Sequence, residues 1–153
     1  MNKYIMVLVA ALVMLFFMVT VNLDAYIKYQ DLGERLIRNT AINPNSAVMF
    51  DIDQTLIDRH HSIQPIIDLC NYAKSRGIKV ILITARPDTK LSNIITKKQL
   101  KSHGIQYDEL YFSPADRKKV LKKQLGYDFI FSVGDLPTDV DGVHGGRPIL
   151  LKK

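Results

Sequence analysis

Two carboxylates one residue apart, Asp51 and Asp53, stand at the end of the apolar run AVMF. Just past a buried strand, both can point into one cleft, while the turn that follows presents backbone groups to the same ligand. That pattern suits removal of a phosphoryl group from an ester. The reaction needs an in-line nucleophile, cations to offset charge on the equatorial oxygens, and a proton for the leaving oxygen. Asp51 would attack phosphorus to give an aspartyl-phosphate. Asp53 would protonate the departing oxygen and then activate water against that intermediate. Clustered carboxylates also require a cation, and magnesium suits oxygen ligands and bridges carboxylate to phosphate. Asp135, arriving from another strand, would complete its shell.

The elements that must position these groups are legible as alternating patterns. Short runs rich in β-branched residues at 47–50, 78–83, 110–112, 129–133 and 148–151 read as strands, and 62–75, 89–102 and 116–125 read as helices. Gly77, Gly104 and Gly126 stand where the helices should stop. Such alternation predicts an α/β fold, Rossmann-like, with three α/β/α layers and a mostly parallel sheet. Ligands in these folds bind outside the carboxyl ends of the strands. The polar residues of interest fall there: Asp51 and Asp53 after the first run, Thr84 and Arg86 after the second, Asp135 and Asp139 after the fourth.

DIDQTL, then ILIT, then a lysine-bearing helix, then GDLPTD resembles the four ordered motifs of the haloacid dehalogenase superfamily. Within it, TARPDTKLSNIITKKQLKSHGI and GYDFIFSVGDLPTDVDG are similar to the acid phosphatase branch. The resemblance implies a magnesium-dependent phosphatase. Asp51 would be nucleophile and metal ligand, and Asp53 the acid/base that also lends its backbone carbonyl to the metal. Thr84 would bind a phosphoryl oxygen, Asp135 the metal, and Asp139 would be a ligand or a partner of one. The family's lysine falls among Lys118, Lys119, Lys122 and Lys123, with Lys118 preferred over Lys119 because the start of a helix reaches the rim more easily. Arg86 could pair with a phosphate or hold the GDLPTD loop. Gln54 stands where Gly, Glu or Asp is frequent, and TAR where TGR is frequent; neither change removes a reacting group.

The rest of the chain bounds the setting. Ile5 to Leu23 carries no charge, and 19 residues of helix would extend about 28 Å, close to a bilayer core. Residues 1–23 therefore read as a membrane anchor, with a cleaved signal or a buried helix as alternatives. Residues 24–45 read as an amphipathic stalk and linker broken at NTAINPNS, and 46–153 as the catalytic domain. The flanking charges leave the side of the membrane open, and a cleaved segment would mean secretion. Neither usual insertion point has room for a cap domain, so large phosphorylated substrates are as plausible as small ones.

Lys and Arg total 21 against 15 Asp and Glu, which favours anionic partners: phosphorylated substrates, nucleic acid or lipid headgroups. A polynucleotide or nucleotide phosphatase is one option, and a membrane-tethered, non-catalytic scaffold is the alternative from another class. The single cysteine, Cys70, excludes an intramolecular disulfide and reads as a core residue. His60 and His61 read as loop residues that could face a substrate, whereas His103 and His144 lack metal-ligand spacing.

Overall fold

The computed structural model describes residues 2–152. Its first element, α1 (Lys3–Arg38), is a single helix of 36 residues, begun by the Asn2 side chain accepting from the Tyr4 N–H at 3.2 Å. The helix has two halves of different character. Tyr4 to Met18 is exposed and apolar, none of the most apolar window is buried, and length and composition suffice to cross a membrane. From Tyr26 onward the same helix joins the core: Tyr26, Tyr29, Leu32 and Leu36 pack against it and Ile37 lies fully inside. Gly33 permits this approach, since a Cβ there would lie 2.4 Å from Leu69 Cδ2 on the neighbouring helix.

After a turn at 39–45 come β1 (Ser46–Phe50), a small hairpin of β2 (Ile57–Asp58) and β3 (His61–Ser62), α2 (Gln64–Ser75), β4 (Lys79–Thr84), α3 (Lys90–Ser102) and β5 (Glu109–Phe112). The chain then makes a 3-10 turn and forms α4 (Lys118–Leu125), β6 (Asp128–Gly134), the short α5 (Pro137–Val140) and β7 (Arg147–Leu150). Five strands form one parallel sheet in the order β5-β4-β1-β6-β7. All five expected strands and three expected helices are present. The hairpin was not foreseen, because strands of two residues carry no periodicity to read.

Alternate residues of the strands serve opposite faces. Val48, Phe50, Val80, Leu82, Phe131 and Val133 meet α1, α2 and Leu100 of α3, with Phe50 edge-on to Phe131 at 5.9 Å. Ala47, Met49, Ile81, Ile83 and Phe129 meet Leu121 and Leu125 of α4 on the other side. Burial on both faces explains why these strands read as continuous apolar runs without alternation.

From β1 the chain first builds outward to β4 and β5, then returns to place β6 on β1's opposite edge. The carboxyl ends of β1 and β6 therefore flank the point where strand order reverses, the usual seat of a ligand in such sheets. The direction of α1 is fixed by its ends. Beyond its last turn, Asn43 donates to Asp128 at the start of β6, whereas the Tyr29 hydroxyl accepts from the Lys152 N–H just past β7. The helix thus runs from the carboxyl-end rim of the sheet toward its amino-end rim.

Candidate active site

The Asp51 N–H donates to Val133 O at 2.9 Å, extending the β1–β6 ladder one residue and fixing Asp51 at the strand end. Its carboxylate is 6% exposed. Oδ1 accepts from Lys118 Nζ at 2.6 Å and Oδ2 from Thr55 Oγ1 at 3.4 Å. Lys118, 1% exposed, also donates to Asp139 Oδ1 at 2.6 Å, so one buried ammonium joins two buried carboxylates. The other oxygen of Asp139 accepts from the Leu136 N–H at 3.0 Å and caps α5. Glycine at 134 is what admits that side chain: a Cβ there would stand 2.1 Å from Asp139 Cβ.

Oxygens of Asp51, Asp135 and Asp139 lie within 4.8 Å of one another. Three carboxylates this close, two of them buried on one ammonium, leave a negative excess, and an all-oxygen donor set of this kind suits a hard divalent cation. Burial pushes the Asp51 carboxyl up to about 7; Lys118 opposes this and Asp139 adds to it. For Lys118, burial acts downward, but Asp51 and Asp139 outweigh it and the ammonium is held more firmly than usual.

Asp53, two residues on, faces the same cleft and is half exposed. Arg86 grips it from across the sheet, Nε to Oδ2 at 2.9 Å and Nη2 to Oδ1 at 2.7 Å, while Arg86 Nη1 donates to Thr96 Oγ1 at 3.0 Å. Gln54, with a positive φ of 58°, turns the chain beneath them. Together with Ala85, Lys118, Asp135 and Leu136 these residues line a cleft of about 280 Å³.

Asp51, Asp53, Arg86, Lys118, Asp135 and Asp139 are thus brought together. Thr84 is not in the lining: it is fully buried at the end of β4, and its hydroxyl accepts from the Arg86 N–H at 3.2 Å. Lys119 points away, exposed and 3.8 Å from Asp141. His60 and His61 are exposed on the hairpin, and Ser62 Oγ lies 2.6 Å from His103 Nδ1 outside the cleft. Cys70 is buried, with its thiol pushed up by burial.

Lys122 is the main surprise. One turn beyond Lys118, it too is buried, donating to Asp139 O at 2.8 Å and to Ser132 Oγ at 3.3 Å, and burial lowers its ammonium to about 8. The i, i+4 spacing of Lys118 and Lys122 could have flagged a shared face, but a run of lysines ordinarily reads as solvated surface.

Comparison with known proteins agrees with this architecture. The haloacid dehalogenase-like hydrolase family matches residues 48–131, more than half of the chain. A Bacillus subtilis (strain 168) protein, YxeH, whose name marks it provisionally as a phosphatase, is 28% identical over 98 residues, covering 61% of this chain and 36% of that protein. The chain therefore spans little more than a third of that relative. Among solved structures, the class C acid phosphatase from Bacillus anthracis superposes with a TM-score of 0.69 at 17% identity, over 78% of this chain and 65% of that one. A chain of the Pnkp1/Rnl/Hen1 complex superposes with a TM-score of 0.56 at 23% identity, over 72% and 47% respectively. These two likenesses concern the fold. With the motifs, the sheet and the acidic cleft in register, the chain belongs to the haloacid dehalogenase-like hydrolase family.

Proposed function

We propose that this protein is a magnesium-dependent phosphomonoesterase that works through an aspartyl-phosphate on Asp51, anchored in a membrane by the apolar half of α1. The observation that carries this reading is the position of the Asp51 carboxylate. It sits at a parallel strand end, bound to Lys118, inside a cluster of acidic oxygens, with Asp53 two residues away on the same cleft.

In this reading Asp51, Asp135 and the backbone carbonyl of Asp53 hold the cation. Asp139 lies in the same acidic cluster as a further candidate ligand, and it also fixes the lysine: Oδ1 accepts from Lys118 and Oδ2 from the Leu136 N–H. Magnesium, when bound, supplies positive charge to the transferring phosphoryl oxygens. Lys118 holds the Asp51 carboxylate in one rotamer and offsets charge beside it. Asp51 attacks phosphorus and the bond to the ester oxygen breaks, Asp53 delivering the proton the leaving group needs. Asp53 then takes a proton from water, which attacks phosphorus and frees Asp51 and inorganic phosphate. Arg86 orients Asp53 and stands where it can also meet a phosphate oxygen. Thr84 is assigned a phosphoryl oxygen too, a contact that requires its hydroxyl to swing away from the Arg86 N–H.

One hairpin and α2 fill the interval from β1 to β4, and α3, β5 and α4 fill that from β4 to β6. We take the site to be capless and open at the rim. The test is phosphate release from an aryl phosphate by the full chain in detergent, with and without magnesium, beside Asp51→Asn and Asp53→Asn. Magnesium-dependent release that both substitutions remove is expected. A folded protein without release would leave the scaffold reading in its place.

A further inference from the structure

The cleft and the membrane segment lie at the same end of the molecule. Because α1 runs from the carboxyl-end rim toward the amino-end rim, its apolar half projects beyond the rim that carries Asp51, Asp53 and Asp135. No break separates the two halves of the helix, and the second is wedged into the core at Gly33 and Ile37. The anchor is therefore rigidly tied to the catalytic fold.

Helix geometry sets the distance. Tyr29 stands at the level of the strand ends, where its hydroxyl meets Lys152, and the uncharged stretch ends at Leu23, six residues earlier. At 1.5 Å per residue that is about 9 Å. Tyr26 is nearer still: burial raises its hydroxyl pKa first, and the charges of Asp58 and Asp135 raise it further, so it lies within electrostatic reach of the cleft. A bilayer's polar layer is roughly 5–8 Å deep on each side of the hydrocarbon. The mouth of the cleft thus faces the layer that holds lipid phosphates.

The rim has the composition of a surface that meets such a layer. On the first turns of α3, which opens at the rim, Leu91 is 67% exposed, Ile94 56% and Ile95 54%. Lys90, Lys97 and Lys98 flank them, and all three are exposed. Leu136, 51% exposed, lines the cleft mouth itself. Apolar side chains interleaved with lysines are what an interfacial, anionic lipid surface selects.

We propose that the substrate is a phosphomonoester carried on the headgroup of a lipid in the same bilayer that holds α1. This rests on the phosphatase reading above and deepens it. The balanced reaction is lipid phosphomonoester plus water giving lipid alcohol plus inorganic phosphate. The P–O bond to the lipid breaks as Asp51 bonds to phosphorus, and Asp53 supplies the lipid oxygen with its proton. Substrate reaches the cleft by lateral diffusion, so neither a cap nor a deep pocket is needed to hold it.

The test uses the full chain in phosphatidylcholine vesicles containing dioleoyl phosphatidate, with an aryl phosphate present on both sides in parallel samples. A second protein carries seven helix-forming residues inserted between Asp24 and Ala25. That insertion lifts the cleft about 10 Å from the bilayer while nearly preserving the helix face. The native chain is expected to hydrolyse both compounds. The lifted chain is expected to keep the aryl activity and to lose the lipid activity by about tenfold or more, because proximity is what was removed. Aryl hydrolysis by the native chain without lipid hydrolysis would overturn the lipid assignment and leave the phosphatase reading standing. Equal lipid hydrolysis by both chains would overturn the claim that the cleft takes its lipid from the bilayer holding α1. Failure on both compounds would remove the phosphatase reading, and the lipid assignment with it.

Discussion

Asp53 and Arg86 are joined by two parallel hydrogen bonds, at 2.9 and 2.7 Å, across the strand ends of β1 and β4. Planar pairing of this kind fixes a carboxylate's orientation as well as its charge. Arg86 is itself held by Thr96 and through its N–H by Thr84, so the candidate acid/base is positioned by a chain of contacts reaching into the core. Replacing the arginine by lysine keeps a charge and loses the fork. Arg86→Lys is expected to lower kcat by about 10-fold to 100-fold, within the range that general acid–base catalysis supplies. Steady-state kinetics on an aryl phosphate checks this.

Asp53→Asn carries a more discriminating expectation. A phenol with a good leaving oxygen needs little protonation, whereas an aliphatic alcohol needs a full proton. The substitution should therefore slow an alkyl phosphate about 10²–10⁴-fold and an activated aryl phosphate less. Comparing the two substrates separates loss of the acid from a general loss of structure.

Lys118 joins Asp51 and Asp139 at 2.6 Å each, and all three are buried. Lys118→Met would strand two buried carboxylates, and removing one partner of such a group destabilises by about 3–5 kcal/mol. Urea unfolding should show the loss. Adding Asp139→Asn to Lys118→Met should recover part of the stability and none of the activity.

The pH response follows from Asp51, whose carboxyl is pushed up to about 7 by burial. Between about 4, where an unfolded aspartate titrates, and that value the folded protein holds a proton that the unfolded chain has released. Stability without metal should therefore fall as pH rises through this window. Magnesium must displace the same proton, so the increase in Tm that it produces should grow over the window and level off above it. Thermal unfolding at a series of pH values, with and without magnesium, reads both slopes.

Gly134→Ala would press a Cβ to within 2.1 Å of Asp139 Cβ, against a side chain held in place by two hydrogen bonds. The expected result is displacement of Asp139 and loss of the Lys118 bridge. Activity should fall more steeply than for an alanine placed at the open positions of Gly77 or Gly104, where a Cβ meets nothing but the positive φ adds strain. Parallel activity and unfolding measurements on the three variants separate the effects.

The strands were legible because both faces of the sheet are covered, which turns each into a compact apolar run such as KVILIT. The rim was legible because Asp51, Thr84 and Asp135 follow those runs directly. What a linear reading could not supply is distance. The Asp53–Arg86 pair spans 33 residues and the Lys118–Asp51 pair 67. The burial of Lys122 beneath Asp139 depends on Gly145, which leaves room for the ammonium where a Cβ would come within 2.7 Å of it. Nor did the sequence show how the second half of α1 is used. Its apolar positions read as an amphipathic stalk, and the contact at Gly33 and Leu69 is what places it on α2.

The central claim is that phosphorus becomes bonded to Asp51. Acid quenching of the full chain during turnover, followed by borohydride reduction and peptide sequencing, converts an acyl phosphate into homoserine at the position that carried it. Homoserine at position 51, dependent on substrate and magnesium, is the predicted result. Turnover that continues with aspartate intact at 51, or with the reduced residue elsewhere in the chain, would contradict it.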